Sequence, residues 1–252
     1  NMYKSTIAIV LYLLISNSVT AQVGMEVYPP EFIKSIAVKS KSNQVEFPVI
    51  RLGNSLSIEF DVLNGYEEDY YYKIDHYNFD WTKSQLSKSE YLKGYDNNKI
   101  YNYKNSFNTY QIYSHYSLSI PNDETKIIKS GNYIISIFDE YQEIVFSKKI
   151  IIYEALSNVK IGVFRTRDLN FIHEKQVVQF EIEAEKINNP LKTIKTLIIQ
   201  NNNLEKSISN LKPQYTIGNK LIYKYDSPAS FDGGNEFLYF ENKNIRGSDL
   251  NI

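Results

Sequence analysis

The sequence predicts an all-β protein, arranged as two tandem antiparallel β-sandwiches behind an export signal. Apolar residues recur with a period of two along most of the chain, the mark of strands with one buried face. Clusters of Pro, Gly, Asn and Asp separate these runs. No segment carries the apolar stripe of an amphipathic helix.

The first element is the export signal. Met2 and Lys4 form a short basic region, and Ile7 to Ile15 form an apolar one. The latter is too short to cross a bilayer, which takes about 20 apolar residues. Val19-Thr20-Ala21 then supplies the small residues of a cleavage site, so residues 1–21 are expected to be removed ahead of Gln22. No Cys follows the site, which excludes a lipoprotein anchor there.

The strands follow in order. Leu56, Ile58, Phe60 and Val62 alternate with Ser57, Glu59 and Asp61. Tyr70, Tyr72, Ile74 and His76 alternate with Tyr71, Lys73 and Asp75. Ile112, Ser114, Tyr116, Leu118 and Ile120 share one face of the next strand. Tyr133, Ile135 and Ile137 follow Gly131, and a long strand covers Ile144 to Tyr153. Phe60, Ile74, Tyr116, Leu118, Ile135 and Ile137 are the expected core. Pro29-Pro30, Gly53-Asn54, Asn64-Gly65, Asp96-Asn97-Asn98, Pro121-Asn122-Asp123 and Ser130-Gly131-Asn132 supply the turns. Residues 26–154 thus form one domain, interrupted by an irregular but ordered excursion over 82–108.

Residues 155–252 read as a second, shorter domain. Val159, Ile161 and Val163 open it. Val178, Phe180, Ile182 and Ala184 form its clearest strand, with Phe180 and Ile182 in its core. Leu197 and Ile199, then Leu221, Tyr223 and Tyr225, then Phe237 and Tyr239 continue it. Short strands at this spacing fit sandwiches of the immunoglobulin or fibronectin-III kind.

Composition narrows the function. The chain has no cysteine, which removes thiol catalysis and Cys-based zinc sites. Lys+Arg number 28 against Asp+Glu 29. These charges are interspersed, so no basic stripe is available for nucleic acid or for anionic lipid. Tyrosine is abundant, at 22 residues, and suits both sheet faces and binding surfaces.

Catalytic patterns are missing. His76, His115 and His173 are the only histidines, and none sits in an HxH or HExxH spacing. On strand parity His76 faces inward and His115 outward, so they do not converge as metal ligands must. Asp75, Asp80 and Glu90 lie near one another in sequence, yet nothing marks a pair with split pKa values as a glycosidase needs. Neither a GxSxG elbow nor a Gly-rich phosphate loop occurs. No catalytic residue, cofactor or metal is expected. Tyr77, Phe79, Trp81, Tyr91 and Tyr95 gather in or beside the excursion. They read either as a binding surface or as a small core that holds the excursion in place.

Several segments resemble a known family. Pro48 to Gly53 followed by Leu56, Ile58, Phe60 and Asp61 is one. Tyr72-Lys73-Ile74-Asp75-His76 with Asp80-Trp81 is a second, and Glu90 to Tyr95 a third. Ser106 to Thr109, Tyr113 to Tyr116, Pro121-Asn122 and Ser130 to Tyr133 follow in order, as do Asn189-Pro190, Gln200-Asn201 and Gly234 to Phe237. Together they resemble the plug proteins of the bacterial type IX secretion system. The sequence departs from that pattern at Tyr77 and Asn78, where members commonly carry Cys and an acidic residue.

The resemblance implies a non-enzymatic periplasmic protein. Its partner would be the giant outer-membrane β-barrel translocon, whose periplasmic mouth it would dock on and seal. The excursion would supply part of the docking surface as a cap on the first sandwich, through Asp80, Trp81, Tyr91, Gly94, Tyr95, Asn108 and Thr109. The rival reading is an exported carbohydrate-binding sandwich, with a sandwich-class enzyme third.

Overall fold

The computed structural model describes residues 23–40, 48–65, 67–185 and 187–233. The expected export signal, the Gly234 to Phe237 motif and Tyr239 lie outside the described residues. The chain divides into two compact units, residues 1–154 and 155–252. Both are β-structures, and helix among the described residues is confined to single turns.

The first unit contains β1 (Ile33–Ser40), β2 (Val49–Arg51), β3 (Leu56–Val62), β4 (Tyr71–Tyr77), α1 (Lys88–Tyr91), β5 (Leu92–Gly94), β6 (Asn98–Lys99), β7 (Tyr103–Asn105), β8 (Ser114–Ile120), β9 (Thr125–Ile127), β10 (Gly131–Phe138) and β11 (Ile144–Tyr153). One sheet runs β1-β3-β8-β7 and the other β2-β11-β10-β4-β6, with β5 and β9 as a separate pair. The alternation in sequence becomes burial in space: β8 alternates buried and half-buried positions along its whole length.

The six expected core residues of this unit are all buried, and they come from both sheets. Phe60 of β3 stacks on Tyr116 of β8 at 5.2 Å and meets Phe146 of β11 edge-on at 5.1 Å, which ties the two sheets together. Burying one such ring contributes about 1.5–3 kcal/mol, and each aromatic pair about 0.5–1.5 more. Five buried tyrosines of this unit also find an acceptor or hydroxyl partner. Tyr70 donates to the Glu68 carboxylate at 2.6 Å, Tyr116 to the Glu68 carbonyl at 2.8 Å and Tyr133 to the Lys129 carbonyl at 2.6 Å. Tyr72 pairs with the Thr125 hydroxyl at 2.8 Å, and Tyr91 donates to the Ile74 carbonyl at 3.4 Å. Burial raises the Tyr70 and Tyr133 phenols far above the usual range, so both stay neutral donors.

The segment from Gly24 to Val27 straps the free edge of β11. The Ser147 amide donates to the Val27 carbonyl at 3.0 Å, and the Lys149 amide donates to a Glu26 carboxylate oxygen at 2.7 Å. An unprotected edge would invite pairing with another chain. Gly24 is required by close approach, because a Cβ there would run into the Tyr77 ring and the Ile134 methyl. The strap therefore lies over the outer side of β10 as well, and Ile134 is buried there.

The second unit contains β12 (Asn158–Arg165), β13 (Lys175–Glu183), α2 (Pro190–Thr193), β14 (Leu197–Gln200), β15 (Asn203–Ser209), β16 (Tyr215–Ile217), β17 (Lys220–Tyr223) and β18 (Ser230–Asp232). Its main sheet runs β12-β13-β17-β16, and β18 also pairs with β13. Phe180 and Ile182 are buried as expected, and Phe180 stacks on Tyr223 at 4.2 Å. The hairpin β14–β15 adds Ile198 to this core. That reverses the expected parity, in which Leu197 and Ile199 formed the marked face. Three successive apolar residues give no alternation to read, and packing against the core selects the middle one. Val159, Ile161 and Val163 of β12 stand opposite Ile182, Phe180 and Val178, on the core side of the sheet, yet all three are exposed.

Candidate docking surface

The excursion begins at a tight turn after β4. Asp80 accepts from the Thr82 amide at 3.1 Å and the Thr82 hydroxyl at 2.6 Å, which makes it a turn-forming residue. Trp81 takes a left-handed backbone, φ 62°. Its carbonyl accepts from the Gly24 amide at 2.8 Å, and its half-buried ring lies 4.5 Å below the Lys149 ammonium. Both residues thus serve the contact between this turn and the amino-terminal strap.

A capping box then starts α1. The Ser87 amide donates to the Glu90 carboxylate at 2.8 Å, closing the reciprocal pair that satisfies a helix start. Tyr91 ends the turn inside the core, between His76 and Tyr133. Lys88 bridges the Ile74 carbonyl, at 2.6 Å, and the Asp96 carboxylate. Burial pulls its ammonium pKa down, but the Asp96 hydrogen bond and the charges of Asp75 and Asp96 outweigh that and leave it raised. His76 is held below the ordinary imidazole value by burial, only partly offset by the Ser130 carbonyl. Its Nδ1 is buried without a partner.

Beyond α1 the chain runs along the open side of the sheets. Gly94 has φ 91°, and a Cβ there would collide with the Glu124 carbonyl oxygen. The Tyr95 amide donates to that same oxygen at 2.9 Å while its ring is exposed. β6 then pairs with Tyr71 and Tyr72, Ile100 enters the core, and β7 pairs with β8 in the other sheet. The excursion is therefore a side wall that joins the two sheets, where the sequence suggested a cap on one end. Tyr91, Leu92 and Ile100 belong to the main core.

This geometry divides the expected site residues. Asp80, Trp81 and Tyr91 lie at the Tyr77 end of β4. Gly94 and Tyr95 lie on the side. Asn108 and Thr109 lie in the loop between β7 and β8, at the Tyr71 end. At about 3.3 Å per residue, the two ends of β4 are roughly 20 Å apart. Tyr91 is buried and Asp80 and Trp81 are engaged within the unit, whereas Tyr95, Asn108 and Thr109 are exposed.

Sequence reasoning passed over the residues flanking that last pair. Phe107 is 93 % exposed and Tyr110 fully so. Ile112, expected to open β8, is exposed as well, because the strand begins only at Ser114. The Tyr113 amide turns instead to the Ser106 hydroxyl at 2.9 Å and closes the loop. The run Ser106 to Tyr113 carries no charge and no alternation, and that is the signal that could have found it.

Among the described residues no group of three His, Asp or Glu could hold a metal ion, and no helix is long and apolar enough to cross a membrane. His115 pairs with Asp61 at 2.7 Å on the outer face of its sheet, away from inward-facing His76.

Residues 33–154 match the family described as type 9 secretion system plug protein, first domain. The match starts at β1 and stops where the first compact unit ends. Among solved structures the chain is similar to a hypothetical protein from Parabacteroides merdae ATCC 43184, with 29 % identity and a TM-score of 0.82. The similarity covers 91 % of this chain and 59 % of that one, so the chain spans about three fifths of that protein's length. No curated protein matches the sequence.

Proposed function

Because residues 33–154 belong to the type 9 secretion system plug family as its first domain, we propose that the chain docks in the periplasm on the outer-membrane secretion barrel and seals its periplasmic opening. The match of residues 33–154 to that first domain is the observation that carries the reading. In this proposal residues 1–21 direct export, and the two units work as tandem sandwiches of a non-enzymatic stopper.

The physical properties of the first unit support the role. A stopper has to resist deformation, and this unit joins two sheets through one aromatic core and a side wall that belongs to that core. Its exposed large aromatics, Tyr95, Phe107, Tyr110 and Tyr141 among them, are of the kind that anchors protein interfaces.

The test is co-purification of the tagged chain with outer-membrane proteins of its native cell, followed by a permeability assay of the reconstituted barrel. Retention with the barrel and a lower solute flux when the chain is added are the expected results. Absence from the barrel fraction, together with selective glycan retention on an array, would replace this reading with the carbohydrate-binding one.

A further inference from the structure

We propose that the end of the first unit formed by residues 28–32, 63–65, 67–69, 106–113 and 139–143 is its docking surface, and that the partner offers a basic protein surface with apolar pockets. This rests on the docking role proposed above and names the face that carries it.

The four loops form one end of the sheets. Val62, Ser114 and Asn105 mark that end in one sheet, and Tyr71, Phe138 and Ile144 mark it in the other. Tyr70 joins them by packing edge-on against Tyr116 at 5.0 Å. The Leu63 amide donates to the Phe32 carbonyl at 2.8 Å, and the Gln111 side-chain amide donates to the Leu63 carbonyl at 3.1 Å. The Lys73 ammonium donates to the Gln142 side-chain oxygen at 3.4 Å, which ties the last of these loops to β4. Glu154, the last residue of this unit, follows β11 at the opposite end.

The aromatic tip is held in a defined shape. Ser106 and Tyr113 close the loop through two bonds, of 2.8 and 2.9 Å. Thr109 donates to the Gln111 carbonyl at 2.8 Å, and Asn108 takes the left-handed backbone, φ 55°. Phe107 and Tyr110 project from this frame, and Ile112 and Tyr141 are exposed as well. A loop backbone already fixed in place loses little conformational freedom on binding.

Charge selects the partner. These loops contain carboxylates and no Lys, Arg or His. Glu67, Glu68, Asp69 and Asp139 are engaged within the unit. Glu31, Glu140 and Glu143 are exposed. Of the bordering lysines, Lys99 is tied to Asp69 and Lys73 lies over the Phe138 ring, and Lys34 and Lys104 are on β1 and β7. Exposed aromatics in an acidic field suit a surface of Lys and Arg, which also stack on aromatic faces. Anionic lipid headgroups and nucleic acid would be repelled.

The test measures binding of the full chain to the detergent-solubilised translocon barrel, at about 50 and 300 mM salt. Phe107→Ser/Tyr110→Ser is expected to bind at least about 30-fold more weakly with its thermal midpoint unchanged. Glu140→Lys/Glu143→Lys is expected to associate about tenfold more slowly, at low salt only. Binding of the aromatic variant within about twofold of the unmodified chain would overturn the proposal, and an unchanged association rate in the charge variant would overturn its basic partner. Vesicles of phosphatidylethanolamine and phosphatidylglycerol that retain the unmodified chain but not the aromatic variant would point to a membrane and overturn it as well. If the unmodified chain fails to bind the barrel, the docking role itself falls, and this inference with it.

Discussion

Phe60→Ala is the substitution to which the first unit is expected to respond most strongly. The ring is completely buried and touches Tyr116 face-on and Tyr70 and Phe146 edge-on. Truncation removes the transfer energy of the ring, leaves a cavity between two sheets that cannot collapse independently, and breaks three aromatic pairs. Large-to-small changes of this type cost about 3–5 kcal/mol, and the number of lost pairs puts Phe60 toward the upper part of that range. Phe60→Leu keeps most of the volume and should cost about 1–2 kcal/mol. The chain has one tryptophan, Trp81, and it lies in this unit. Its fluorescence therefore reports unfolding of this unit alone. With a urea dependence of about 2 kcal/mol per molar, the Ala variant should lower the midpoint by about 2 M. A loss below about 1 kcal/mol, equal for both variants, would show that Phe60 does not couple the two sheets.

Three further outcomes are expected. His76 has a depressed folded pKa, so the unfolded chain binds more protons below about pH 6.5; stability should fall as pH drops from there toward the folded value, with a slope of at most about 1.4 kcal/mol per pH unit, and His76→Phe should flatten that part of the urea-midpoint profile. Gly94→Ala meets both a positive φ and the Glu124 carbonyl, and should cost more than about 1 kcal/mol in the same fluorescence assay. Trp81→Ala should speed hydrogen exchange at the Gly24 and Val27 amides by loosening the strap, while the β3, β8 and β10 amides stay protected. An equal change at all of these sites would show that Trp81 supports the whole unit.

The regular strands were legible because one periodicity governs both the sequence and the burial. β4 and β8 alternate along their whole lengths, and their inward residues are the expected ones. β10 was only half legible. Tyr133, Ile135 and Ile137 face the core, but Ile134 is covered by the strap from Gly24, a contact that local sequence cannot announce. The reading failed at Leu197 to Ile199 for a related reason. Where neighbouring residues are equally apolar, the facing hairpin and sheet choose which one turns inward.

The excursion marks the deeper limit of alternation. Tyr91 and Tyr110 are the same residue type in the same irregular part of the chain, yet one is in the core and the other fully in solvent. Their hydrogen-bond surroundings separate them. Around Tyr91 the chain bonds repeatedly to distant strands, through Lys88 to Ile74, through the Ile128 amide to the Tyr91 carbonyl, and through Tyr95 to Glu124. The Ser106 to Tyr113 loop bonds mainly to itself, with Gln111 reaching out to Leu63. A loop that satisfies its own backbone in this way can hold its shape without burying its side chains. Segments tied to distant strands build the wall, and the self-contained loop leaves its aromatics available. A docking surface made this way can change its side chains at little cost to the core. That is why Phe107→Ser/Tyr110→Ser should separate binding from stability, whereas Tyr91→Ser, which opens a cavity against His76 and Tyr133, should lose both together.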